Sequence, residues 1–132
     1  MEKLEITRLL REFKNIAVVG LSPKANRPSN QVANYLIDAG YNVIPVNPGQ
    51  EEILGRKCYP DLESVPEPID IVDIFRRNED VPPVVESAIR VGGKVIWMQE
   101  GIINEEAAAR AREAGLTVVM DRCLKIDHRD LL

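Results

Sequence analysis

Aromatic residues make up only 5% of this 132-residue chain, with Trp97 the single tryptophan, and there is one histidine, His128. Cysteine is equally scarce: Cys58 and Cys123 lie in separate segments. These shortages narrow the chemistry. Two distant cysteines make neither a C-x-x-C pair nor a metal-ligand spacing, and no His, Cys and carboxylate cluster suggests a metal centre. His128, near the end of the chain without an evident relay partner, reads as a solvated tail residue, which weakens any hydrolase reading. No apolar run approaches the roughly 20 residues that cross a bilayer, and the charged opening MEKLEITRLLREFK does not read as a secretory signal. No membrane partner is expected, and free thiols fit the cytoplasm. With 17 basic residues against 21 acidic, the net charge of −4 argues against a surface that follows nucleic-acid phosphates.

What remains has the balance of a globular protein, 45% hydrophobic and 29% charged, at a length that suits one domain over residues 1–132. Short valine- and isoleucine-rich runs at residues 15–20, 42–46, 69–75, 94–99 and 116–121 read as buried strands. Four helices fit around them: the N-terminal stretch, residues 30–39 with Ser29 as N-cap and Gly40 as stop, residues 79–91 with Pro82 and Pro83 in the first turn, and a helix from Asn104 to Gly115. The turn-rich stretch between the second and third strands has room for one short helix near Asp61 to Val65. Alternating strands and helices predict an α/β, doubly wound, parallel five-stranded sheet with helices on both faces.

In such a sheet ligands lie beyond the carboxyl ends of the strands, where the strand order reverses. The loop after the first strand, GLSPKANRPSN from Gly20 to Asn30, therefore carries the question of function. It starts as a dinucleotide turn does, with a glycine, but lacks the two further glycines, and the second strand ends in Asn47 rather than an acid. Residues 13–37 contain Lys14, Lys24 and Arg27 and no carboxylate. Backbone N–H groups, a helix N-terminus and two cations suit an adenosine ligand with a pyrophosphate and an extra ribose phosphate. NADP and coenzyme A both meet that description.

The segments IAVVGLSPKANRPSNQVANYLIDAGYNVIPVNPG, IDIVDIFRR, VIWMQEGIINEEAAARAREAGL and VVMDRCLKID resemble the family of small stand-alone CoA-binding domain proteins, related to the N-terminal domain of the succinyl-CoA synthetase alpha subunit. The resemblance runs from about Ile16 to Asp127 and implies a Rossmann-like fold holding coenzyme A at the strand ends. By motif it implies that Gly20, Leu21, Ser22, Lys24, Arg27 and Ser29 meet phosphate. Asn47 and Pro48 would lie beside the adenosine half, Phe75 and Arg76 by the adenine or a phosphate, and Gln99, Glu100 and Gly101 near the middle of the ligand. The loop is poorer in glycine than the ligase's, and the second domain that carries the ligase's phosphorylated histidine has no counterpart.

Blander roles compete residue by residue. Ser29 suits a cap, Phe75 and Trp97 suit the core, and one of Arg76 and Arg77, not both, is expected at the ligand. Asp70 and Asp73, three apart on a strand, face opposite sides and are poor partners for acid–base work. Cys123, flanked by Arg122 and Lys125, is a candidate reactive thiol, although a small buried residue is the commoner case. The favoured function is a binding or regulatory module for coenzyme A or an acyl-CoA, without a catalytic set of its own. The alternatives are a subunit or partner of an acyl-CoA ligase, and an NADP-binding reductase or redox sensor.

Overall fold

The structure, a computed structural model, describes residues 2–132. After α1 (Lys3–Glu12) the chain alternates as expected: β1 (Asn15–Val19), α2 (Pro28–Asp38), β2 (Asn42–Val46), β5 (Ile71–Ile74), α3 (Val81–Arg90), β6 (Val95–Met98), α4 (Glu105–Glu113) and β7 (Thr117–Met120). Two elements interrupt that rhythm between β2 and β5, a hairpin of β3 (Glu52–Ile53) and β4 (Arg56–Lys57) and a 3-10 turn at Leu62–Ser64. A last helix, α5 (Leu124–Leu131), closes the chain.

The five long strands pair in the order β2-β1-β5-β6-β7, all parallel. Strand order reverses between β1 and β5, because the chain leaves β1 toward one edge and returns beside it to build toward the other. This is a Rossmann-like, doubly wound sheet. Successive side chains of a strand face opposite ways, so β1 sends Ile16 and Val18 to one apolar layer and Ala17 and Val19 to the other. The first layer is covered by α1, α2 and α5 through Ile6, Leu10, Leu36 and Leu124. The second is covered by α3 and α4 through Val85, Ala88, Ala108 and Ala111. Trp97, fully buried, packs in the first layer, and its indole N–H donates to the Arg122 carbonyl at 2.8 Å.

The second helix starts earlier than the sequence suggests, and Ser29 is not its N-cap. Arg27 holds the cap position without a side-chain bond, and Pro28 is the first helical residue, its fixed φ already helical. The third helix is preceded by a 3-10 turn at Asn78–Asp80, with both prolines in the first turn that tolerates them. Asn104 caps α4 as predicted, accepting from the Ala107 N–H at 2.9 Å.

β2 stands at the edge of the sheet, and the chain covers it. Tyr59 donates its N–H to the Pro45 carbonyl at 3.0 Å and accepts from the Asn47 N–H at 2.9 Å. Arg56 reaches the Val43 carbonyl at 3.4 Å. Among the described residues no helix is long and apolar enough to cross a membrane, and no group of three or more His, Cys, Asp or Glu side chains is placed to hold a metal ion.

Candidate functional site

The site begins where β1 and β5 end side by side. Gly20 follows β1 with φ +89°, and its N–H donates to the Val46 carbonyl at 2.9 Å. A Cβ there would run into the carbonyl oxygen of Phe75, so only glycine lets the loop pass this close to the end of β5. The loop then ties itself into one shape. Ser22 donates its N–H to Ser29 Oγ at 2.9 Å, its Oγ accepts from the Lys24 N–H at 3.1 Å, and its carbonyl accepts from Asn30 Nδ2 at 2.9 Å. Ser29, buried in the first turn of α2, holds the loop to the helix.

Leu21 turns inward as a fully buried core residue, while its carbonyl accepts from Asn47 Nδ2 at 2.8 Å. Asn47 therefore braces the loop with the amide that the sequence assigned to the adenosine half. Lys24 and Arg27 stay exposed, without an ion pair among the described residues, on a cleft of about 440 Å³ that Gly20, Ser22, Pro28, Ser29 and Phe75 also line. The N-terminus of α2 opens onto the same cleft, adding its partial positive charge.

A second hollow adjoins the first. Val19 and Arg76 line it where the next residue along β1 and the preceding residue after β5, Gly20 and Phe75, line the cleft. This slot of about 180 Å³ has apolar walls from Val46, Pro48, Pro60, Leu62, Pro83 and Val84, with Asp61, Arg76 and Ser87 as its polar members. Arg76 is half-buried and makes no ion pair among the described residues, whereas Arg77 is exposed and bonded to Asp80 at 3.0 Å. Sequence reasoning found Pro48 and Arg76 but missed Pro60, Asp61, Leu62, Val84 and Ser87. The chain separates them by up to 27 positions, and only the packing of the 3-10 turn against α3 brings them together; the one local clue was the D-x-x-S cap of Asp61 and Ser64.

The QEGI segment sits farther along the strand ends. Gln99 is buried, and its Oε1 accepts from the Leu124 N–H at 3.3 Å, which docks the start of α5. Gly101, at φ +87°, donates its N–H to Asp121 Oδ1 at 2.7 Å, and Asp121 itself adopts φ +59° to reach it. Glu100 is exposed beside them.

The setting expected for Cys123 does not form. Arg122 turns away to a bidentate pair with Asp127 at 2.7 and 2.8 Å, and the Lys125 ammonium lies over the Tyr35 ring at 5.8 Å. Cys123, at the N-cap of α5, is half-buried against the first apolar layer. Cys58 is buried, and burial pushes its thiol up. His128 is no solvated tail: its Nδ1 lies 2.7 Å from the Tyr35 hydroxyl and its ring meets Tyr35 and Tyr41 edge-on. Burial, and then the nearby Lys14, hold its pKa below the usual histidine value.

Asp73 is the outlier of the core. Asp70 accepts from the Asn15 N–H at 3.1 Å, but Asp73 is fully buried between Val18 and Trp97 in the sheet, and neither carboxyl oxygen has a hydrogen-bond partner. Burial raises its pKa well above the usual carboxylate value, which favours the protonated form.

The largest of these hollows by volume, about 520 Å³, lies at the other end of the strands, lined by Glu12, Lys94 and the glycines that end α3 and α4. Helix C-termini give that end the wrong sign for phosphate.

Comparison with known proteins identifies the family. The family model described as a CoA binding domain matches residues 14–129. The YneT protein of Bacillus subtilis is 46% identical over 126 residues, covering 96% of this chain and 93% of that one. The ADP-forming acetate–CoA ligase I of Archaeoglobus fulgidus is 32% identical over 128 residues; the match covers 89% of this chain but only 19% of the ligase. A solved structure of a hypothetical protein from Pyrococcus horikoshii OT3 superposes with a TM-score of 0.97 at 44% identity, covering 99% of this chain and 92% of that one. The domain match supports coenzyme A and gives the NADP alternative no support. A match to the CoA binding domain from Lys14 nearly to the end of the chain places this chain in the CoA-binding domain family.

Proposed function

We propose that this chain is a binding or regulatory module that holds coenzyme A or an acyl-CoA across the two adjoining hollows at the carboxyl ends of β1, β2 and β5. The observation that carries the reading is the pair of unpaired cations, Lys24 and Arg27, on a cleft at the N-terminus of α2 that opens beside an apolar slot. Pyrophosphate and ribose phosphate belong in the cleft, where backbone N–H groups and cations meet them. The adenine belongs in the slot, which has the apolar walls that a purine face needs, with Arg76 at the junction. The pantetheine arm then runs toward Gln99, Glu100 and Gly101.

The self-bonded loop is already ordered, so little conformational entropy opposes binding. A second reading has its own support in the acetate–CoA ligase match, of which this chain spans 19%: a subunit-like partner whose remaining chemistry resides on another chain.

A thermal-shift and calorimetric panel of coenzyme A, dephospho-CoA, acetyl-CoA and NADP tests both. Ligand at 100 times its dissociation constant raises stability by about 2.7 kcal/mol. Coenzyme A is expected to shift the melting temperature more than dephospho-CoA or NADP. Lys24→Ala and Arg27→Ala are each expected to weaken coenzyme A roughly tenfold, the scale of a hydrogen bond to a charged group. Equal binding of coenzyme A and dephospho-CoA removes the ribose phosphate from the cleft; turnover only on adding a ligase chain favours the second reading.

A further inference from the structure

Resting on the coenzyme A reading above, we infer that Asp61 makes the slot selective for adenine over purines that carry an oxygen at position 6. Asp61 stands at the start of the 3-10 turn and lines the slot opposite the apolar wall from α3. Its Oδ1 is occupied, accepting from the Ser64 N–H at 2.8 Å and the Ser64 hydroxyl at 2.6 Å. Those two bonds fix the side chain and leave Oδ2 as an acceptor without a protein donor among the described residues.

Across the slot, on α3, Ser87 accepts from Arg90 at 3.0 Å and keeps its hydroxyl proton available for a ring nitrogen. The slot thus offers an acceptor and a donor on otherwise apolar walls. Adenine presents the complement, an amino donor at N6 next to the N7 acceptor, whereas a 6-oxo purine presents acceptors at both places. A carboxylate facing O6 sets acceptor against acceptor and gives neither group a partner in the complex. Sites built to bond one polar group reject analogues lacking it far better than apolar pockets reject a change of size.

The test compares coenzyme A with its deaminated counterpart, in which hypoxanthine replaces adenine, by titration calorimetry on the whole chain. The wild type is expected to bind the adenine form at least about tenfold more tightly, the discrimination of one good base contact. Asp61→Asn keeps an oxygen for Ser64 and replaces the free acceptor with an amide donor that pairs with O6, so the preference is expected to fall and reverse. Ser64→Ala, which leaves the carboxylate in place, keeps the adenine preference.

Wild-type affinities within about twofold of each other, or an unchanged ratio in Asp61→Asn, overturn the inference while coenzyme A binding itself stands. If neither form binds, the coenzyme A reading falls and this inference with it. The wild-type ratio alone decides the matter should the variant not fold.

Discussion

The two ends of the parallel sheet use the same kinds of polar residue in opposite ways. At the amino end several polar groups have found a protein partner: Asn15 bonds to the Pro68 carbonyl, Asn42 to Glu67, Tyr41 to the Leu10 carbonyl at 2.5 Å and His128 to Tyr35, while Lys14 lies over the Tyr41 ring at 4.7 Å. At the carboxyl end Lys24, Arg27 and Arg76 have no ion pairs among the described residues, although carboxylates outnumber cations in the chain as a whole. Internal pairing holds the structure together, and the unpaired charge beside an ordered loop is what the proposed coenzyme A site would use.

Asp73, midway between the ends, is the sharpest probe of that distinction, because it is polar and unpartnered with no solvent to serve it. Its folded pKa is raised above the unfolded value of about 3.9. The unfolded chain therefore loses this proton first; the contribution to stability is full below about pH 4 and is lost as pH rises toward the folded value. In urea denaturation from about pH 4 to 8, wild type is expected to lose up to about 1.4 kcal/mol per pH unit relative to Asp73→Asn. Parallel pH profiles for the two proteins would show that Asp73 is ionised in the fold.

Gly20 and Gly115 offer the next contrast, with φ near +90° at opposite ends of the sheet. A Cβ on Gly115 meets nothing, whereas one on Gly20 strikes Phe75. Gly115→Ala is expected to cost only the backbone term of about 1 kcal/mol. Gly20→Ala adds displacement of the loop, so its loss in denaturation is larger, about 2–4 kcal/mol, and coenzyme A binding is lost with it. Equal costs would mean that the close passage of the loop is not required.

Charge removal separates the ends again. Lys24→Ala is expected to weaken coenzyme A without lowering the melting temperature of the free protein, while Lys14→Ala lowers the melting temperature slightly and leaves binding unchanged. The smallest effect belongs to His128. With a folded pKa below the ordinary value, it contributes stability that is full above about pH 6.5 and lost as pH falls through the folded value. A slight acid destabilisation from about pH 7 to 5, absent in His128→Gln, is the expected result by thermal melting.

The sheet was legible because its signal is dense. Apart from Asp73 in β5 and the polar residues that open β1, β2 and β7, the five strands are apolar runs, so a buried parallel strand needs little context to be seen. The 3-10 turn fell inside the predicted stretch near Asp61 to Val65. Elements that draw their stability from distant partners were not legible. α5 has eight residues, no capping side chain and charges at half its positions; it is held by Leu124, by the Gln99 bond and by His128 against two tyrosines. Missing that helix is why His128 read as a tail residue. β3 and β4, two residues each, carry no period at all.

The candidate site divides along the same line. Gly20, Ser22, Lys24 and Arg27 are contiguous in sequence and appear together on the cleft, so the loop could be read directly. Asn47 follows β2 as read, yet its amide is turned to Leu21, because sequence gives a residue's place on the strand and not its bonding partner. The arginine beside Cys123 failed as a thiol activator for the same reason: Asp127, one helical turn on, claims it.

The covered flank of β2 carries a consequence for the protein in company with others of its kind. An exposed border strand invites a neighbour to add its own backbone and start a stack. Here Tyr59 and Arg56 occupy those positions, and Pro45 withholds an N–H besides. A newcomer on that flank would have to strip away the chain's own fastening before it could attach. Crowding is thereby resisted by the stretch that breaks the alternation of strand and helix, which gives those otherwise irregular residues a reason to be there.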